Sequence, residues 1–443
     1  MQILGNVLDA LNSFIWGYPM IVLLVLTHVY LTFKLNFIQK NLFKAIKLSV
    51  VKDESAGVVS NFGALAVSLG ATVGIGSVMG MATAVASGGP GAVFWMLFFS
   101  FFGFATKYGE CLLAVKYRTQ NSEGEYVGGP MYIMANVLNM KWLGYVFAFC
   151  GLLMALTGGG MLQVNAISDT LQDAYKINPL WVGLSVAVII GAIILGGVKR
   201  VAAASEYLVP FKGLLYLFGA LLIFIIKIES VPQVLVLIFK SAFTLKAAGG
   251  GVAGAGIMAA LYNGASRSVL TTEAGLGSSS VVAAAAKTQN PVRQGLVAGT
   301  SVFWTACVCL LTGMVILLAG DWQSGSKFAG DLCNSAFGVI PYVGKFILVL
   351  SLSVFAVTTI IGWTYYGEKF IEFMGGSKIV IPFRICWIAC MATGAVVSSK
   401  LAWSVAIFIT AAMAVPNLVM IFMLRNDIAK ETKKYLKSEI DGI

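Results

Sequence analysis

The chain has 443 residues, of which 58% are hydrophobic and 11% charged, and its formal net charge is +11 at pH 7. An ordinary soluble chain carries about 25% charged residues, so this balance excludes a soluble globular domain and describes an integral membrane protein. Long uninterrupted apolar runs, in place of the ~10-residue alternating segments of a barrel, make the spans helical.

The N-terminal MQILGNVLDALNSF lacks a basic n-region, and no small-residue cleavage site follows, so the first apolar run, about 14–33, is expected to remain as a span. Further runs cover about 59–86, 91–115, 142–168, 180–197, 207–228, 253–283, 295–319, 341–366, 379–399 and 402–424. The expectation is an all-α membrane protein with eleven transmembrane helices. With the N-terminus outside, the inner segments collect Lys34, Lys40, Lys44, Lys47, Lys52, Lys116, Arg118, Lys141, Lys199, Arg200, Lys287, Arg293, Lys369, Lys378, Arg384 and five basic residues of the tail. The outer segments hold only Lys176, Lys227, Lys240, Lys246, Lys327, Lys345 and Lys400. This bias predicts an outside N-terminus and a cytoplasmic C-terminus in the cell (inner) membrane. It also accounts for the positive charge without a nucleic-acid partner, since the basic residues mark topology and meet anionic membrane lipids.

In the second span, Gly70–Gly80 reads GATVGIGSVMG, with Gly70, Gly74, Gly76 and Gly80 weakening the centre of the run. As one helix this span would measure about 42 Å against a hydrocarbon layer of about 30 Å. The G-x-x-x-G spacings alone would suit close helix packing. A dinucleotide fingerprint is excluded, because Gly74, Gly76 and Gly80 have the wrong spacing and no βαβ context. In the third span Lys107 and Glu110 are three residues apart and are expected to pair. The fourth, TGGGMLQVNAISD, sets Gln163 and Asn165 after three glycines, as substrate ligands or helix-to-helix hydrogen bonds.

The seventh span repeats the pattern of the second. NGASRSVLTTEAGLGSSS, from Asn263 to Ser280, carries three glycines with Arg267 and Glu273 at membrane depth, where ionisable groups face a protein interior or a wet cavity. Arg267 lies before the break and is a candidate external gate. Spans two and seven are five apart and so cross in opposite directions, as in a five-plus-five inverted repeat with one added N-terminal helix. The expected divisions are 1–58, 59–228, 229–424 and a cytoplasmic tail, 425–443. Unwound backbone at membrane depth persists only where it lines a cavity. Half-helix N-termini suit a carboxylate and freed carbonyls a small cation, so an amino-acid zwitterion with Na⁺ satisfies both.

The ninth span contains FAVTTIIGWTYYGEK. Thr358 and Thr359 offer hydroxyl oxygens to a hard cation, although membrane threonines also bond back to their own helix. Trp363 can wall a small apolar pocket or anchor at the interface. The seven cysteines have no metal-ligand spacing, and the single histidine, His28, leaves no hydrolase or metalloprotease motif, so an enzyme is disfavoured. An ion channel is the competing class, since glycine breaks and carbonyls also build selectivity filters.

The segments GATVGIGSVMGMATAVASGGPGAVFWM, FATKYGE, VGGPMY, EAGLGS and GWTYYGEK, in order from about residue 60 to 370, resemble the alanine or glycine:cation symporter family, the sodium:alanine symporters. The resemblance implies eleven spans on a leucine-transporter-like core, and sodium-coupled import of a small neutral amino acid by a monomer without an organic cofactor. It implies a substrate site at Gly74, Ile75, Gly76, Ser77, Thr271, Thr272, Glu273 and Gly275, walled by Gln163 and Trp363. It implies a Na⁺ position at the backbone of Thr72 and Val73 with Thr358 and Thr359. The expected substrate is alanine- or glycine-like; the family's usual asparagines are replaced by Ser77 and Thr272, and the alternative is a proton-coupled or broader-specificity carrier with a substrate other than alanine.

Overall fold

The structure, a computed structural model, describes residues 2–16, 18–51, 55, 57–243, 256–324, 329–396 and 399–440. Lys52, Lys246 and Lys327 of the charge asymmetry, the first residues of the span predicted from 253, and the end of the tail lie outside them. In chain order the helices are α1 (Gln2–Ile15), α2 (Tyr18–Lys34), α3 (Leu42–Val50), α4 (Asn61–Thr72), α5 (Ile75–Gly88) and α6 (Gly91–Lys116). A two-stranded hairpin follows, β1 (Thr119–Gln120) and β2 (Tyr126–Val127), with Thr119 opposite Val127. Then come α7 (Pro130–Asn136), α8 (Lys141–Met154), α9 (Leu162–Tyr175), α10 (Pro179–Ile194), α11 (Gly197–Ile226), α12 (Val231–Phe243), α13 (Ile257–Thr272) and α14 (Ser278–Ala284). The last are α15 (Pro291–Ala319), α16 (Ala329–Gly338), α17 (Gly344–Gly375), α18 (Val380–Gly394), α19 (Ser399–Met423) and α20 (Arg425–Ile440).

Among the described residues seven helices are long and apolar enough to cross a membrane, or nine if two bent pairs count as single spans. One pair joins Pro19–Lys34 to Ile38–Val50 through 65°, and the other is α4 with α5, bent by 40°. The difference from eleven has physical causes. α10 has only 16 residues, and the seventh run is cut by residues 273–277 into α13 and a seven-residue α14. A third interruption was unexpected: Ala155–Met161, between α8 and α9, is wound as a π-helix around Gly158, Gly159 and Gly160. Such bulges arise where glycine relaxes the ladder, and they often mark functional sites.

The two broken helices run antiparallel. The start of α4 is joined to the segment after α14 by a parallel bridge, Val59 to Ala286, with Lys287 N donating to the Val59 carbonyl at 2.8 Å. Arg118 closes the same end, donating to the carbonyl of Ala284, left without an intrahelical donor at the end of α14, and to those of Ala286 and Thr288 beyond it. α4 also packs against α11, α15 and α17. Contact with α17 is close because Gly362 has no side chain: a Cβ there would sit 2.9 Å from Ala71 N.

Candidate functional site

The first break is short. α4 ends at Thr72, Val73 leaves helical geometry (φ −84°, ψ 73°), Gly74 is extended, and α5 restarts at Ile75. Two hydrogen bonds hold the turn: Ser77 Oγ to the Thr72 carbonyl at 3.2 Å, and Ser77 N to the Gly74 carbonyl at 3.0 Å. Gly74 is required by close approach, since a Cβ there would overlap the Thr359 hydroxyl.

The second break is wider and more polar. Glu273 adopts φ 54°, a left-handed conformation rarely tolerated by a side-chain-bearing residue, and Gly275 and Gly277 follow at φ 92° and 80°. Neighbouring helices hold this backbone in place. Lys107 of α6 donates to the Thr272 carbonyl at 3.1 Å and to Ser279 Oγ. Asn417 of α19 donates to the Gly275 carbonyl at 2.9 Å and to Glu110 at 2.7 Å. The Glu273 carboxylate accepts from Ser278 at 2.5 Å and Ser279 at 3.1 Å. The expected Lys107–Glu110 pair is therefore corrected: Lys107 bonds to the Thr272 carbonyl and Ser279, and Glu110 to Asn417 of α19.

Between the breaks lies a cavity of about 60 Å³, lined by Ala71, Thr72, Gly74, Gly76, Met154, Gly158, Gln163, Arg267, Leu270, Thr271, Glu273, Leu276, Thr359, Trp363, Ala406, Ile407 and Thr410. At 10–15 Å³ for each water-sized group, it has room for roughly four to six of them, the scale of a very small amino acid. Of the residues singled out in the sequence, Thr72, Gly74, Gly76, Gln163, Arg267, Thr271, Glu273, Thr359 and Trp363 come together here. Ile75, Ser77, Thr272, Gly275, Val73 and Thr358 do not line it. Ser77 and Thr272 are fully buried in the hydrogen bonding of their own breaks, with Thr272 Oγ1 on the Ser268 carbonyl at 2.7 Å. Trp363 is 3% exposed, with its ring edge-on to Tyr366, which removes the interface-anchor reading.

The wall is electrostatically divided. Gln163 donates to the Gly158 carbonyl at 3.0 Å and leaves its buried Oε1 without a donor. Arg267 lies against α5, about 3.9 Å from where a Cβ of Gly80 would stand, and has no hydrogen-bond or ion-pair partner among the described residues. A carboxylate and an unpaired amide oxygen thus share the cavity with an unpaired guanidinium, polarity that complements a zwitterion. Met154, Gly158 and the α19 residues Ala406, Ile407 and Thr410 were not anticipated. The triple glycine was their one sequence signal, and α19 offered none.

Two of the oxygens expected to hold a cation, the Val73 carbonyl and Thr358 Oγ1, lie behind this cavity around a lysine buried on α11. Lys212 Nζ, on α11, lies 2.6 Å from the Val73 carbonyl, 2.6 Å from Thr358 Oγ1, 3.3 Å from the Leu69 carbonyl and 3.4 Å from the Gly70 carbonyl. Thr359 Oγ1 points instead to the Gly70 and Phe355 carbonyls, at 3.0 Å each, and Thr72 Oγ1 to the Ser68 carbonyl at 2.9 Å.

The profile of the sodium:alanine symporter family matches residues 1–442. The chain belongs to that family. A relative, the sodium/alanine symporter AgcS of Methanococcus maripaludis, is 39% identical over 97% of this chain and 97% of its own. An uncharacterised transporter of Haemophilus influenzae is 43% identical over 98% of this chain and 96% of its own. GlnT of Bacillus subtilis, named as a probable sodium/glutamine symporter, is 34% identical over 100% and 92%. Among solved structures, MhsT in complex with L-phenylalanine superposes with a TM-score of 0.58 at 13% identity, covering 83% of this chain and 89% of that one, a likeness of fold. This member of the sodium:alanine symporter family is a multi-pass membrane transporter and not an enzyme.

Proposed function

We propose that the protein imports a small neutral amino acid, glycine- or alanine-like, together with Na⁺, by alternating access around the cavity between α4–α5 and α13–α14. The observation that carries this reading is the cavity's composition: an unpaired Arg267 guanidinium, the Glu273 carboxylate and the orphan Gln163 oxygen enclose a space of about 60 Å³. Arg267 and the α5 N-terminus would take the substrate carboxylate. Gln163 and Glu273 would take the ammonium group, and Trp363 would limit the side chain. The small volume supports an alanine- or glycine-sized substrate despite the missing family asparagines, because Ser77 and Thr272 lie outside the lining. Na⁺ would occupy the oxygens of Val73, Gly70 and Thr358 behind the cavity. In this reading α2, α4–α5, α6, α8–α9, α10, α11, α13–α14, α15, α17, α18 and α19 are the eleven spans. The N-terminus lies outside, the two five-span halves form an inverted repeat, and the monomer is the working unit.

The test is uptake by proteoliposomes of a panel of radiolabelled amino acids, with and without an inward Na⁺ gradient. Saturable uptake of glycine and alanine that collapses without the gradient is expected. Uptake that follows only a pH gradient would refute sodium coupling, and non-saturating current without amino-acid dependence would favour a channel.

A further inference from the structure

The cage around Lys212 is built entirely of acceptors. Three of its four oxygens are carbonyls, and the fourth, Thr358 Oγ1, directs its own hydrogen back to the carbonyls of Val354 or Phe355, 3.0 and 2.9 Å away, which turns its lone pairs toward Nζ. An all-acceptor shell at membrane depth is matched by a cation, whether an ammonium group or a metal ion. Lys212 is 1% exposed, and no carboxylate among the described residues pairs with it. A second unit charge about 4 Å away, at an effective dielectric constant near 20, would cut occupancy about a thousandfold. The cage therefore holds the lysine's charge or Na⁺, not both.

The surroundings leave the Nζ proton as the variable. α4 and α10 carry no ionisable side chain, and α17 has none between Lys345 and Tyr365. On α11 the nearest titratable group is Tyr216, one turn on, whose hydroxyl is bonded to Thr312 at 2.7 Å and faces Cys309 of α15 and Cys333 of α16, while Tyr207 and Glu206 lie more than one turn back, the Glu206 carboxylate accepting from Ser60 at 2.7 Å. None of these groups bonds to Nζ, so no anion among the described residues keeps the ammonium in place.

We propose that Lys212 is a proton-bearing competitor for Na⁺: ammonium and Na⁺ are alternative occupants of the one cage between α4 and α17, and each Na⁺ bound there expels one proton. This rests on the sodium-coupled reading above. In the exchange one N–H bond of the ammonium breaks, its electron pair stays on Nζ, and the proton passes to water on the side to which the cage is open. The neutral amine then stands beside the bound Na⁺.

Two measurements test it. In proteoliposomes taking up L-alanine at pH 6, 7 and 8, the half-saturating Na⁺ concentration should rise by about tenfold for each pH unit of acidification while the amine is protonated. Lys212→Met should abolish that slope, whatever its maximal rate. Independently of any variant, adding NaCl to the purified protein in weakly buffered detergent should release about one proton per protein, with choline chloride releasing none. A half-saturating Na⁺ that is the same at all three pH values, or the absence of proton release, with Na⁺-driven uptake intact, overturns the competition alone. It would mean that Lys212 exchanges no proton when Na⁺ binds, either leaving the cage still charged or standing neutral in it throughout. Uptake indifferent to Na⁺ at every pH overturns the sodium reading and the competition together.

Discussion

Gly74 and Gly76 lie two residues apart at the same break, and the structure separates their roles. A Cβ on Gly76 meets no atom within 4 Å, and Gly76 lines the cavity, so Gly76→Ala places its methyl in the space for substrate. Alanine is also the better helix former by about 0.5–1 kcal/mol, so thermal stability should hold or rise. The methyl removes about one of the roughly four to six water-sized positions available. One methylene of pocket fit corresponds to ~1–3 kcal/mol, so alanine should lose about 10- to 200-fold in uptake efficiency relative to glycine. Gly74→Ala acts differently. Its Cβ would overlap Thr359 Oγ1 and stand 3.3 Å from Thr359 Cβ, driving that hydroxyl off the Gly70 and Phe355 carbonyls. Overpacking at ~1–3 kcal/mol plus a lost hydrogen bond at ~1 kcal/mol gives destabilisation of about 2–4 kcal/mol, without a change in substrate preference. The assay is paired: competition between labelled glycine and alanine in proteoliposomes, and thermal unfolding in detergent. If Gly76→Ala keeps the parent's preference, or if the two variants lose stability equally, the cavity is not the substrate site.

Trp363→Leu should enlarge the cavity and move preference toward longer apolar side chains in a competition panel, and Gly159→Ala, whose Cβ would strike the Trp363 ring, should perturb the same rank order. Gln163→Leu should weaken substrate binding by about tenfold or more in equilibrium binding, since hydrogen bonds to charged groups contribute ~1.5–3 kcal/mol, with little change in unfolding temperature. Lys107→Met should destabilise by about 2–4 kcal/mol in thermal unfolding, because the Thr272 carbonyl and Ser279 lose a charged donor where water cannot replace it. At the far end of α17, Arg384 grips Glu368 at 2.7 and 2.8 Å with both side chains largely buried. Arg384→Met should therefore cost about 3 kcal/mol of unfolding free energy, and a stability unchanged in that assay would show the pair to be screened by solvent.

The sequence by itself determined the class, the family and the places where two helices break. Apolar run length and glycine clusters are local properties, and glycine weakens a helix wherever it stands. That is why the breaks at Gly74 and Gly76 and beside Glu273 could be named from the string, whereas Trp363 was placed at the pocket wall by the family resemblance. The tertiary structure decided what those breaks face. Lys107 and Glu110 have the spacing of a pair, yet Lys107 is drawn to the Thr272 carbonyl at the second break and Glu110 to the side-chain amide of Asn417 on α19, which also holds the Gly275 carbonyl. Ala406, Ile407 and Thr410 read as ordinary membrane helix and become cavity wall only because α19 packs beside the π-helical turn. Lys212 stands within the apolar run at 207–228, but its partners are carbonyls more than 130 residues away at the end of α4 and in its break, and a hydroxyl on α17. Backbone oxygens are present at every position, so no pattern of side chains reveals which become free. Only the packing of α11 against the broken α4 brings a lysine to them.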